Sequence, residues 1–504
     1  MKTNVSMQIY DLRKEGKLEE ACALALQNMK DEPDNITPTC DYGWVLYDML
    51  NSAIDNDRRE QILNSIEEFV KICDKCDARI KEAMGWRLVK LGFKIYRKEV
   101  NEFISGSKVI SYLRKLDYPR PSELHSAVMN LIILLNDDTI DWIDTMKWWD
   151  LRNFRQQDYI GQQKDDAKFL SLAEKVITKL YHCMIQGNPG TTCATTEDIL
   201  TFIRFLEDVA GNCPGYRFVP YYLVRLKLKV GLKEPMMPSF KQFALNKQSE
   251  FWVWSTMAEF PEFSENEKLA CYCKALLCNK GGEDYVVKIR QAVIPLLLKK
   301  ECLSVAAINV RKIEETCRRN GWELPAIIAD YQKKDWFKTV ADETDEHVFY
   351  NRYGSLAMKL LYREEDLLTG IVTGVDHTAG KIYFMVSREI RGSYKWNGHD
   401  GFPETGDAIE VCLDKTEDTD TGIYKAVYLG LTEKEPAEGI LHEVEGKVAV
   451  REGNSFGFIG DNFVPEEVIK TYGLINGDNV KVRAIASYDN KKARWGWKVI
   501  KVLK

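Results

Sequence analysis

The hydrophobic pattern of this chain changes period once, near Leu367. Before that point apolar residues recur at every third and fourth position between short polar breaks, the spacing of paired helices. After it they alternate with polar residues in short runs bounded by Gly, Asp and Thr, the spacing of half-buried strands. A chain of 504 residues is also too long for one hydrophobic core. The expected fold class is therefore multidomain: an all-α helical-repeat region followed by small all-β barrels.

Within the helical part, Leu12, Gly16, Ala21, Leu24, Leu26 and Pro33 resemble a tetratricopeptide hairpin. Gly16 permits the tight turn, Ala21 lets two helices approach, and Pro33 ends the second helix. Tyr42, Trp44, Leu46, Tyr47 and Leu50 continue as a third amphipathic helix. The family's period of roughly 34 residues does not go on, so the rest reads as irregular helical pairs, 267–278, 284–299 and 304–319 among them. Breaks are expected at Tyr118–Pro121, Gly187–Gly190 and Leu232–Pro238.

The strand-forming part contains two sets that resemble each other. Each has a Gly-containing first strand, an aromatic second strand (Tyr383 and Phe384 in one, Phe456 and Phe458 in the other), and a Gly-Asp turn (Gly406-Asp407, Gly477-Asp478) before an alternating strand. The expectation is a tandem pair of OB-like barrels. The predicted domains are 1–120, tetratricopeptide-like hairpins; 121–360, irregular helical repeat; 367–435, a first barrel; and 440–504, a second, cold-shock-like barrel.

Charge divides the two barrels. The whole chain carries −6, but residues 440–504 hold 11 Lys/Arg against 8 Asp/Glu, whereas 367–439 hold 7 against 13. The basic second barrel is the expected nucleic-acid binder, and the acidic first one is expected to repel phosphate and to act as a spacer or protein contact. No apolar run approaches the roughly 18 residues that span a bilayer, and the opening residues become charged too early for a signal peptide. A cytoplasmic protein with no membrane partner is expected, its 13 thinly spread cysteines reduced.

Chemistry concentrates between Ser455 and Ile459. Phe456 and Phe458, two apart on a strand, share one face, and Gly457 removes bulk from the other, which predicts a flat stacking platform. Phe463 follows, and Trp495 and Trp497 alternate on a late strand. Around them lie Lys447, Arg451, Lys481, Arg483, Lys491, Lys492, Arg494 and Lys498. Aromatics that stack bases, rimmed by cations that track phosphates, are what sequence-tolerant single-strand binding requires. The expected binding set is Phe456, Phe458, Phe463, Trp495, Trp497, Lys447, Arg451, Arg483, Lys492 and Arg494.

From Gly446 through the Phe456–Ile459 strand, Phe463, Val464-Pro465 and the Gly477-Asp478 turn, the sequence resembles the cold-shock-type RNA-binding domain of transcription termination factor Rho. The resemblance implies base stacking by Phe456 and Phe458 and a pocket role for Phe463. It departs from that family at Gly460, where Arg is frequent, and in lacking a residue between Val464 and Pro465. It covers only about 60 residues, and no Gly-x-x-x-x-Gly-Lys-Ser/Thr loop accompanies it, which excludes a termination helicase. The whole chain is weakly similar to bacterial proteins that join a tetratricopeptide-like region to OB folds, some of them in anti-phage conflict systems.

The other constellations favour structure over chemistry. Cys73 and Cys76 form a lone pair without the further two ligands of a zinc site, and the His residues, His125, His182, His377 and His399 among them, stand apart from any nucleophile. Trp142, Trp148, Trp149, Trp252 and Trp254 are expected to anchor helix packing. The functional expectation is a non-enzymatic adaptor without cofactor or metal. Its second barrel binds single-stranded RNA or DNA, RNA favoured, and its helical scaffold holds a protein partner. The alternative is a pure protein-interaction scaffold, in a bacterial defence system.

Overall fold

The computed structural model describes residues 4–503 except 101–103, 136–139, 165–166, 188–192, 341–344, 363, 397–402, 415–422, 452 and 490–492. Phe402, His399, Lys491, Lys492 and most of the Gly187–Gly190 break lie outside the described residues. The chain forms two compact units, Met1–Leu232 and Lys233–Lys504.

The first unit is built of packed helices. Helices Asn4–Lys14 and Leu18–Asp31 form the expected hairpin around Gly16, whose φ of +77° is the left-handed turn conformation that glycine adopts freely. Ala21 and Ala25 are fully buried on its inner face, and Ile36–Asp55 packs alongside with the Asn35 side chain capping its first turn. Helices Ala78–Tyr96 and Glu123–Leu135 approach closely because Gly85 and Gly92 share one face. A Cβ there would stand 2.5 and 2.4 Å from Leu124 and Leu131.

One hydrophobic core runs without a break from Ile9 to Leu226, through the Tyr118–Pro121 segment where the sequence suggested a boundary. Trp142 and Trp149 are buried in it. The His125 imidazole stacks on Trp149 at 4.5 Å and 5° and bonds the Trp149 carbonyl at 3.0 Å. A short hairpin, β1 (Gln162–Lys164) with β2 (Ala167–Phe169), interrupts the helices and carries too few residues to signal itself by alternation.

The second unit begins with helices, including Glu265–Cys278, Val287–Lys299, Leu303–Asn320 and Glu346–Lys359. Buried Arg290 ties them together. Its Nε and Nη2 donate to the Glu283 carboxylate at 2.7 and 3.0 Å, and its Nη1 donates to Asn309 at 2.9 Å and Glu346 at 3.1 Å. Lys312 pairs with Glu346 as well, and the Tyr350 hydroxyl donates to it at 3.2 Å. A charge with this many partners is tolerated at nearly full burial, and losing any one partner is costly.

Two barrels follow, as the change of period predicts. The first closes from β3 (Leu368–Asp376), β4 (Lys381–Met385), β5 (Arg391–Lys395), β6 (Ala408–Leu413) and β7 (Ile423–Leu431) in the order β3-β4-β5-β7-β6, with β5 and β7 parallel. The second uses β8 (Leu441–Lys447), β9 (Ala449–Val450), β10 (Gly457–Ile459), β11 (Asn462–Val464), β12 (Asn479–Asp489) and β13 (Arg494–Leu503) in the order β8-β12-β13-β11-β10-β9. β8 and β9 are two halves of one bent strand that supplies both edges, so the strand order is the same in both barrels, that of an OB fold. Helix Glu466–Tyr472 separates the third strand from the fourth.

Sequence reading missed β5 and β11. β5 is polar and turns on Gly392, where a Cβ would lie 2.1 Å from the Tyr424 carbonyl oxygen across the parallel pair. β11 is three residues long. Ile371 and Met385 of the first barrel pack with Ile440, Ile485 and Ala486 of the second in one shared apolar seam.

Candidate nucleic-acid interface

Alternation in the β10–β11 hairpin decides which side chains face out. Gly457, Ile459, Asn462 and Val464 point into the second barrel, while Phe458 and Phe463 sit opposite each other in register on the outer face. Phe456 joins them from the residue before β10. All three rings are exposed, at 37%, 41% and 36%. Their centroids are 5.7 to 6.1 Å apart, with planes inclined between 45° and 83°. The sequence pattern suggests a flat platform, but the rings form a faceted cluster, because three neighbouring aromatics prefer edge-to-face contact.

Gly457 is required by the neighbouring strand. A Cβ on it would lie 2.9 Å from the Ala449 carbonyl oxygen and 3.0 Å from Val450 Cγ2, so β9 lies close against the back of the aromatic strand.

The cations divide. Lys498 stands opposite Phe463 across the parallel β11–β13 pair and so shares its face. Arg451 and Lys447 are exposed on the strand-one side of the barrel. Arg483 is placed elsewhere: with Lys481 it binds the Glu443 carboxylate, at 2.9 and 2.7 Å, on the β8–β12 face, two strands away from β10. Those two bonds hold the Glu443 carboxyl below its usual range. Arg494 is exposed at the start of β13, ~13 Å along the strand from Lys498 at 3.3 Å per residue. Lys492 is outside the described residues. An acidic neighbour of the cluster is Glu466, held low first by Lys470 and then by Ser455.

Trp495 and Trp497 do not join the phenylalanines. In the β11–β13 register Trp497 pairs with inward-facing Asn462, which puts the indole on the core face, not the outer one. It stacks on His442 at 3.8 Å and packs into both the barrel core and the seam. Arg388 and Arg391 of the first barrel lie over Trp495 at 5.6 and 5.2 Å. Both tryptophans pack at the seam between the barrels, away from the phenylalanine cluster that they were expected to extend. Lys498, which the sequence offered among eight cations, is the one among the described residues that the strand register places beside Phe463. The signal was available: a residue adjacent to an inward Trp must face out.

Elsewhere, the Cys73 and Cys76 pair is buried. Burial pushes the Cys76 thiol up to about 12 and raises that of Cys73. Among the described residues no group of three or more His, Cys, Asp and Glu is placed to hold a metal ion, and no helix is long and apolar enough to cross a membrane.

Comparison with known proteins agrees with this division. Residues 442–502 match the family described as S1/CSD-like domain 2 of the TOTE conflict systems, and residues 217–357 match a domain of unknown function, DUF7017. No curated protein matches. Among solved structures, a nuclear import adaptor, the hypoxic regulator of sterol synthesis Nro1, is 13% identical over 65% of this chain and all of its own, with a TM-score of 0.18. A circular tandem repeat protein is 11% identical over 71% of this chain and 75% of its own, at 0.15. Likenesses so loose carry no argument. The C-terminal barrel is thus a cold-shock/OB-like domain similar to those of conflict systems, joined to a helical-repeat region.

Proposed function

We propose that this protein is a non-enzymatic adaptor that binds single-stranded nucleic acid, RNA in preference, on the second barrel and holds a protein partner on its helices. The observation that carries the reading is the exposed cluster of Phe456, Phe458 and Phe463 on strands two and three of an OB-ordered barrel. That face is where OB folds take up oligonucleotides. Each of the three phenylalanines leaves about two-fifths of its surface in water and so forgoes roughly that share of the 1.5 to 3 kcal/mol of full burial, a cost that a base-stacking surface recovers at roughly 1 to 3 kcal/mol per base. Lys498 and Arg451 add phosphate attraction at its edge. The preference for RNA rests on the resemblance to the Rho domain, and work within a conflict system on the match of residues 442–502.

Fluorescence anisotropy with labelled six-nucleotide RNA and DNA strands tests the reading. Wild type is expected to bind RNA more tightly, with affinity falling as salt rises, and Phe456→Ala with Phe458→Ala to abolish binding while circular dichroism stays unchanged. Unchanged affinity in the double variant overturns it. Absence of binding at low salt, with a specific protein recovered on the aromatic face, favours the pure protein scaffold.

A further inference from the structure

The first barrel is acidic in total, yet among its described residues two of the acids, Glu410 and Asp376, are already engaged within the protein. Glu410 is buried and held by Lys359 at 2.6 Å and Lys434 at 2.9 Å. Asp376 opposes Lys381 across β3 and β4, and its carboxylate is engaged by the backbone N–H groups of Thr378 and Ala379 in a turn. The outer face of β4 and β5 has a different composition. Lys381 and Lys395 oppose each other in register and are both exposed, Tyr383 opposes Ser393, and Met385 opposes Arg391.

Tyr383 is 43% exposed, and its neighbours on both sides are small: Gly374 on β3 and Ser393 on β5. Tyr383 and Phe458 are each an exposed aromatic on the second strand of their barrel; around Tyr383 the flanks are small and two lysines take the place that Phe463 has beside Phe458. Strand registers also connect the two faces. Phe463 stands beside Lys498, Lys498 pairs with Ile485, and Ile485 packs in the seam with Met385, two residues from Tyr383 on one face of β4. Arg388 and Arg391 stand at that seam.

We infer that the first barrel is a second binding site for the same single strand, with Tyr383 stacking a base and Lys381 and Lys395 meeting its phosphates. The strand crosses the seam from the phenylalanine cluster. This rests on the function proposed above and revises the expectation that an acidic total repels phosphate. Charge acts over about 8 Å at physiological salt, so the face decides and not the sum.

The test compares six-nucleotide with sixteen-nucleotide strands, RNA and DNA, on the full chain. Wild type is expected to bind the longer strand at least tenfold more tightly. Tyr383→Ala, and Lys381→Glu with Lys395→Glu, are expected to remove most of that gain and leave six-nucleotide binding unchanged, and Tyr383→Phe to restore it. These side chains are exposed, so the variants keep the fold, checked by circular dichroism. If the longer strand binds tightly and none of the variants weakens it, the second site is overturned while the phenylalanine cluster stands. If neither length binds wild type, both readings fall.

Discussion

The Trp497 indole lies against the His442 imidazole, ring centroids 3.8 Å apart and planes inclined by 21°, and His442 Nε2 in turn meets the Asn462 side-chain oxygen at 2.7 Å. This stack joins β13, β8 and β11 inside the second barrel. Trp497→Ala is therefore expected to cost stability, on the order of 2 kcal/mol for a half-buried Trp against 3 to 5 for a fully buried one. Urea unfolding measures it. Six-nucleotide affinity should stay within about twofold of wild type; a large selective loss of binding would return Trp497 to the stacking set.

Lys498 is expected to act through charge alone. For single strands the logarithm of affinity falls with the logarithm of salt by about 0.7 per phosphate neutralised, so Lys498→Ala should flatten that slope by about 0.7. A salt titration of anisotropy reads it, with Arg483→Ala as the contrast, since Arg483 is engaged by Glu443. An unchanged slope for Lys498→Ala removes it from the interface.

Gly457→Ala should push β9 away from β10, because the new methyl meets backbone oxygen, which cannot rotate aside. About 1 to 3 kcal/mol of stability should be lost, as for other overpacked sites. Oligonucleotide affinity should fall with it as the three rings lose their alignment. Thermal unfolding and anisotropy on one preparation check both.

His125 makes the first unit sensitive to mild acid. Burial first, with Arg120 adding to it, lowers its pKa to about 4, against the bond to the Trp149 carbonyl, which raises it. A folded pKa below the unfolded value of about 6.5 means that the unfolded chain takes up the proton first, so the contribution is complete above pH 6.5 and lost as pH falls towards 4. The full effect is about 3 kcal/mol at 1.36 kcal/mol per pH unit. Unfolding at pH 7.5 and 5.0 should show the loss, and His125→Gln should lack this pH dependence.

Arg290→Met should destabilise the second unit by about 3 to 5 kcal/mol, because Glu346, Asn309 and Tyr350 would stay buried without their shared donor. Burial itself opposes ionisation of Glu346 and Glu283, and the Arg290 and Lys312 charges outweigh it, so both carboxyls titrate below the ordinary range. Their contribution is present above the unfolded carboxylate pKa and lost as pH falls through the lowered folded values. Chemical denaturation from pH 7 downward should show wild type and variant converging in acid.

Much of this protein could be read from residue order. The change of period at Leu367, the Gly16 hairpin, the helices near 265–320 and the common plan of the two barrels are local patterns. Periodicity records them because each element must turn one face away from water. The outward aromatic of β10 belongs with them, since strand parity around buried Ile459 leaves Phe458 one direction only, whereas β11 and the placement of Phe463 opposite it came from the fold.

Tertiary structure decided what covers each face. Trp495 and Trp497 alternate as cleanly as Phe456 and Phe458, but the first barrel stands over Trp495 with Arg388 and Arg391. No residue in β13 announces that neighbour. Arg290 reads as an ordinary helix-surface cation until Glu283, Asn309 and Glu346 converge on it from as far as 56 residues away. Charge counted along the chain hid the lysine face of β4 and β5, because a total ignores which side of a strand each group is on. Period fixes that a face exists; its occupant depends on contacts between residues distant in sequence, which only the folded chain brings together.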